Sequence, residues 1–170
     1  MPDPQKHASN RGMLEWLLRK IPGFKGYLEK SYRRESDRLQ REWLADHLQR
    51  AKQGLTDYTL ALTNAGQIDQ LAVCDQMRSR LDRLIARLRG GVSGYSGFFD
   101  FVQIGEDELE SVYAHDSAMS SDVETLGEEL ANLASATEPP AVLMPQLLAK
   151  IDRLAEKVDR REDMLRGLSG

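Results

Sequence analysis

Cysteine is almost absent. Cys74 stands alone in 170 residues, so no disulfide can form within the chain and no thiolate cluster can hold a metal. Histidine is scarce as well: His7, His47 and His115 are the full set. None of them completes the Glu-x-x-His pairs from which metal sites in helical bundles are built. No apolar run approaches the roughly 20 residues that a membrane-crossing helix needs. The polar opening (MPDPQKHASNRG) does not read as a secretory signal. These shortages predict a protein of a reducing, cytoplasmic compartment, with no metal and no cofactor.

Two further patterns of chemistry are missing. Gly91, Gly94 and Gly97 resemble a phosphate loop in composition only. No Gly-Lys-Ser/Thr ending follows, and the next helix opens with three acids that would repel a phosphate. There is no G-x-S-x-G elbow. Cys74 lies in an apolar stripe beside Asp75, where nothing lowers a thiol pKa. The expectation is a protein that is not an enzyme, with no catalytic residue to name.

What the chain does hold is charge in blocks and apolar residues at helical spacing. Residues 1–90 carry 17 bases and 11 acids, whereas residues 91–170 carry 6 bases and 16 acids. Arg78 to Arg89 has five arginines against one acid, and Glu106 to Leu130 has nine acids and no base. A basic helix and an acidic helix that fold back on each other would neutralise this asymmetry.

The predicted fold is all-α, an antiparallel helical bundle with coiled-coil-like seams. Residues 1–9 read as a disordered tail, and 10–170 as a single helical domain. A short amphipathic helix spans 10–22, closed by Pro22 and Gly23. A helical hairpin covers 27–89, with one long helix over about 27–65, whose apolar stripe opens at Leu28, and a second over 67–89, whose inward stripe opens at Ile68. From Ala51 the apolar steps are 4, 3, 4, 3, which is heptad spacing. The stretch 30–41 (KSYRRESDRLQR) mixes charges at three- and four-residue spacing and reads as a solvated face.

A connector over 90–105, rich in glycine and aromatics, follows. Phe98, Phe99, Phe101 and Ile104 are costly to leave in water, so it is expected to be ordered and packed over Tyr32, Leu39 and Trp43. A second hairpin covers 106–168, its last helix starting near Pro145. One seam runs Leu109, Val112, Asp116, Met119, Val123, Leu126, Leu130, Leu133. The other runs Leu147, Ile151, Leu154, Val158, Arg161, Leu165, Leu168. Mated head to tail, they bring the two polar members, Asp116 and Arg161, into adjoining layers. A buried charge without a partner is expensive, so the two are predicted to pair. His115 is placed to help satisfy Asp116.

Function is the least legible property. The first expectation is a non-enzymatic interaction or scaffold protein that binds a protein partner or a second copy of itself. Its candidate surface comprises Leu14, Trp16, Leu17, Phe24, Tyr32, Trp43, Tyr95, Phe98 and Phe99. The alternative is a peripheral protein of an anionic membrane surface, anchored by the N-terminal amphipathic helix with Arg19, Lys20 and Lys25 beside the lipid phosphates. Nucleic-acid binding through the basic residues of 30–41 is the remotest reading, because the chain as a whole is acidic.

Overall fold

The computed structural model describes residues 4–90 and 104–167. It is an all-α bundle: five α-helices packed against one another, with no strand among the described residues. In chain order they are α1 (Pro4–Lys20), α2 (Lys30–Asn64), α3 (Leu71–Gly90), α4 (Glu106–Ala131) and α5 (Pro140–Gly167). Single 3-10 turns precede α3 (Ile68–Gln70) and follow α4 (Leu133–Ser135). Among the described residues, no helix is long and apolar enough to cross a membrane.

Local chemistry sets the helix ends. Pro4 and Pro140 occupy the first positions of α1 and α5, where a missing N–H costs nothing. Gly66 ends α2 at φ +74°, with Gly66 N–H donating to Thr63 O and Gln67 N–H to Leu62 O. This is the glycine-terminated C-cap that satisfies carbonyls left over by the last turn. Glu106, Asp107 and Glu108 fill the first turn of α4 and complement its positive dipole end.

Several boundaries differ from expectation. α1 starts at Pro4, so its first turns lie in the stretch read as a tail. α5 starts at Pro140 and carries Pro145 inside it, forgoing one intrahelical bond. That loss is offset locally by the burial of Met144 and Leu147 on either side. Ile68 and Leu28 were expected on inward faces but are 68% and 70% exposed. Each sits in a turn just before its helix begins, where the 3.6-residue period does not yet apply.

The chain divides into two compact units, and α2, α4 and α5 each lend residues to both. One unit comprises Leu44–Gly90 and Ser121–Glu156. Its α2 and α3 segments are antiparallel, as the ion pairs Asp46–Arg89 and Lys52–Asp82 and the Thr56–Arg78 hydrogen bond show. Its interior holds Leu44, Leu48, Leu55, Met77, Leu81, Leu126, Leu130 and Ile151. Arg80–Asp152 and Lys150–Glu129 pair at its rim. Gly54 lets α2 touch the end of α4, since a Cβ there would lie 2.9 Å from Ala131 Cα and closer still to the Leu130 carbonyl.

The described residues of the other unit fall within Met1–Trp43, Gly91–Ser120 and Lys157–Gly170. Its apolar core consists of Leu17, Ile21, Phe24, Tyr27, Leu109, Val112, Tyr113 and Leu165. Trp43 and Leu39 pack against that core, and Trp16 of α1 meets Trp43 edge to face at 6.5 Å. α1 thus covers part of Trp43. Most of 90–105, including Tyr95, Phe98 and Phe99, lies outside the described residues, as does Leu168. Ile104, at the connector's end, packs on the same core.

Candidate functional site

The first half of α2 is poor in apolar residues, and the structure shows what replaces them. Arg33, Ser36, Asp37 and Gln40 are all buried. Counted back from Leu48 and Leu44, the positions 40, 37 and 33 continue the three- and four-residue steps of the apolar seam. The inward stripe of α2 does not stop at Leu44; it turns polar. A stretch read as a solvated face therefore faces inward on one side.

Those residues meet Arg161 from α5 and the turn between α1 and α2, and Arg161 and Tyr27 in turn hold Asp116 of α4. Arg161 uses all three guanidinium nitrogens. Nε donates to Asp116 Oδ1 at 2.8 Å, and Nη2 donates to the Tyr27 hydroxyl oxygen at 3.1 Å. Nη1 lies 2.7 Å from Asp37 Oδ1, an ion pair not aligned as a hydrogen bond. Asp37 Oδ2 accepts from Arg41 Nε at 2.9 Å.

Tyr27 stands at the centre. Its single hydroxyl proton goes to Asp116 Oδ2 at 2.6 Å. Gln40 Oε1 lies 3.2 Å from the same hydroxyl, and the Gln40 amide nitrogen has no partner in that orientation. Turning the amide over would present an N–H to the tyrosine oxygen, whose one proton is already given to Asp116. The Tyr27 ring stacks on Tyr113 at 5.5 Å, and Phe24 meets it edge-on.

The turn leading into α2 is held by side chains instead of a backbone ladder. Tyr27 N–H donates to the Tyr113 hydroxyl at 2.8 Å. Arg33 Nε donates to Tyr27 O at 2.7 Å, and Arg33 Nη2 to Leu28 O. Lys25 N–H donates to Ser36 Oγ. Buried backbone groups need partners, and the polar stripe of α2 provides them. Gly26, at φ +88°, is required here: a Cβ would come within 2.7 Å of the Tyr113 hydroxyl.

The electrostatics suit a closed network. Burial alone would weaken protonation of Arg161, but Asp116 and Asp37 outweigh it and hold its pKa well above the ordinary value. Burial, then the charge of Asp116, pushes the Tyr27 hydroxyl well above its usual range. A tyrosine so placed keeps its proton, the reverse of what a general base or nucleophile needs. Tyr27 and Asp116 are fully buried and Arg161 nearly so. The arrangement positions charges and exposes none of them to a substrate.

No family model, curated protein or solved structure matches the chain. Its possible roles therefore rest on its own residues.

Asp116 and Arg161 are brought together. Leu17 and Phe24 are core residues of the unit, and Leu14, Trp16 and Trp43 are half-buried against it. Leu17 and Phe24 thus face the unit's own interior, and the other three are partly open. Tyr32 alone of the described candidates is at the surface, with the Lys25 ammonium 4.6 Å from its ring centroid. His115 does not serve Asp116: its Nε2 donates to the Lys157 carbonyl at 2.7 Å. Among the basic residues of 30–41, Arg33 is buried, Arg38 is held between Glu35 and Glu42, and Arg41 pairs with Asp37. Among the described residues, no group of three His, Cys, Asp or Glu side chains could hold a metal.

One open cleft of about 490 Å³ lies in the other unit, at the turn between α4 and α5. Leu133, Leu147, Asn132 and Glu138 line it, together with Glu129 and Lys150, which neutralise each other at 2.5 Å.

Proposed function

We propose that the protein is a non-enzymatic helical interaction module, acting as a scaffold for a protein partner or a second copy of itself. The supporting observation is the sealed network of Tyr27, Asp116, Arg161 and Asp37. The most chemically capable side chains of the chain are spent on joining three distant segments into one unit. Meanwhile large apolar side chains stay at the surface in the other unit, notably Leu60 and Ile68 at the α2–α3 end. A structural core of this kind with apolar groups left outside is what a binding module requires.

Sedimentation of the full chain over a range of concentrations tests the second-copy form. Mass above the monomer that disappears in Leu60→Glu/Ile68→Glu would support it. A monomer at every concentration removes that form and leaves only a different protein as partner.

A further inference from the structure

We propose that the corner formed by the end of α1, the following turn and the start of α2 docks on an anionic lipid bilayer. The proposal goes beyond an interaction module; it shares Arg19, Lys20 and Lys25 with an α1 anchor but uses different apolar residues, because that anchor's Leu17, Ile21 and Phe24 are buried in the core. Over residues 18–34 the sequence has six bases and one acid, Glu29. Arg33 is buried; Arg19, Lys20, Lys25, Lys30 and Arg34 are exposed. Three large apolar side chains are exposed in the same short stretch: Leu18, Leu28 and Tyr32.

The geometry makes this one surface. Leu14, one helical turn before Leu18, lies 3.4 Å from where a Gly26 Cβ would be, so that face of α1 borders the turn carrying Lys25 and Leu28. The Lys25 ammonium sits over the Tyr32 ring, and the Lys20 ammonium lies 5.7 Å from the Trp16 ring centroid. The turn beneath is pinned by Arg33 on the Tyr27 and Leu28 carbonyls and by Ser36 on Lys25 N–H, which makes it a rigid platform. Bases attract lipid headgroups, and apolar side chains reach the acyl boundary; stable surface binding takes both signals. Two leucines gain nothing from a sugar–phosphate backbone, which is why a bilayer is favoured over nucleic acid.

The test is flotation of the full chain with phosphatidylcholine vesicles, with and without phosphatidylglycerol, at low and high salt. The wild type is expected to float with the anionic vesicles at low salt, to be released by salt, and to ignore neutral ones. Lys25→Glu/Lys30→Glu should lower the partition coefficient on the order of thirtyfold or more, since each base near the surface is worth about fivefold. Leu28→Ser should lower it as well, while Arg153→Glu in the other unit should not. Circular dichroism melts confirm that each variant is folded. Absence of flotation overturns the proposal. So does equal loss in Arg153→Glu, equal binding to neutral vesicles, or retention on duplex DNA without flotation.

Discussion

The hydroxyl of Tyr27 donates to the carboxylate of Asp116 at 2.6 Å across 89 positions of sequence. The same carboxylate takes Arg161 Nε, and the same hydroxyl takes Arg161 Nη2. Three remote segments thus share one triangle of side chains inside the protein.

Breaking that triangle should cost more than any surface change. Asp116→Ala leaves Arg161 with one fewer acid, and Arg161→Met leaves two buried carboxylates without their main cation. Removing one partner of a buried pair costs about 3 to 5 kcal/mol. Tyr27→Phe keeps the packing and loses the hydroxyl, at about 1 to 3 kcal/mol. Urea denaturation gives the order. An Asp116→Ala variant as stable as the wild type would mean the network carries no weight. The double variant Asp116→Leu/Arg161→Met should recover part of the loss of either single one, because no charge is stranded.

Two helical glycines should respond in opposite directions to alanine. Gly54→Ala forces a methyl onto the Leu130–Ala131 backbone, and overpacking of this kind costs about 1 to 3 kcal/mol. Gly127, inside α4, has nothing within 4 Å of its missing Cβ. Gly127→Ala should stabilise by about 0.5 to 1 kcal/mol through helix propensity. Thermal melts of the pair separate steric from conformational effects, and the same sign for both would contradict the close approach at Gly54.

Stability should fall in alkali. Burial raises the pKa values of Tyr27, Tyr113, Tyr58 and Cys74, with the Asp116 charge as a second cause at Tyr27. A group whose folded pKa is raised contributes fully below its unfolded value, and that contribution is lost as pH rises toward the folded one. The tyrosine part of the loss therefore begins near pH 10, about where an unfolded tyrosine ionises. Tyr27→Phe removes one such proton. Its stability should fall less steeply above that point, by about 1.4 kcal/mol per pH unit. Denaturation midpoints measured on both sides of about pH 10 check the slope; parallel curves for wild type and variant would refute it.

Sequence periodicity carried the reading a long way where apolar residues marked the seams. Every described position of the α4 and α5 seams is buried, from Leu109 to Leu133 and from Leu147 to Leu165. Asp116 and Arg161 could be paired because they interrupt those seams at matching depth. The rest of the network was hidden by its own polarity. Arg33, Asp37 and Gln40 sit in step with Leu44 and Leu48, yet a pattern built on hydrophobicity passes over them. Extending the 4,3 spacing backwards through polar residues would have found them. Nothing local marks Tyr27, which belongs to a turn, and its role follows only from the tertiary positions of Asp116 and Tyr113. The reverse error, reading Leu28 and Ile68 as inward, came from running a helical period into turns.

The reach of the Tyr27–Arg161 hydrogen bond, 134 positions, constrains how the protein is made. During synthesis Tyr27, Asp37 and Gln40 leave the ribosome long before Arg161 exists. Until then Asp116 and Asp37 have no guanidinium to share, and their unit lacks its closing cation. The hairpin of α2 and α3 is complete much earlier, so a nascent chain holds one finished pairing of helices while the polar stripe of α2 still waits in water.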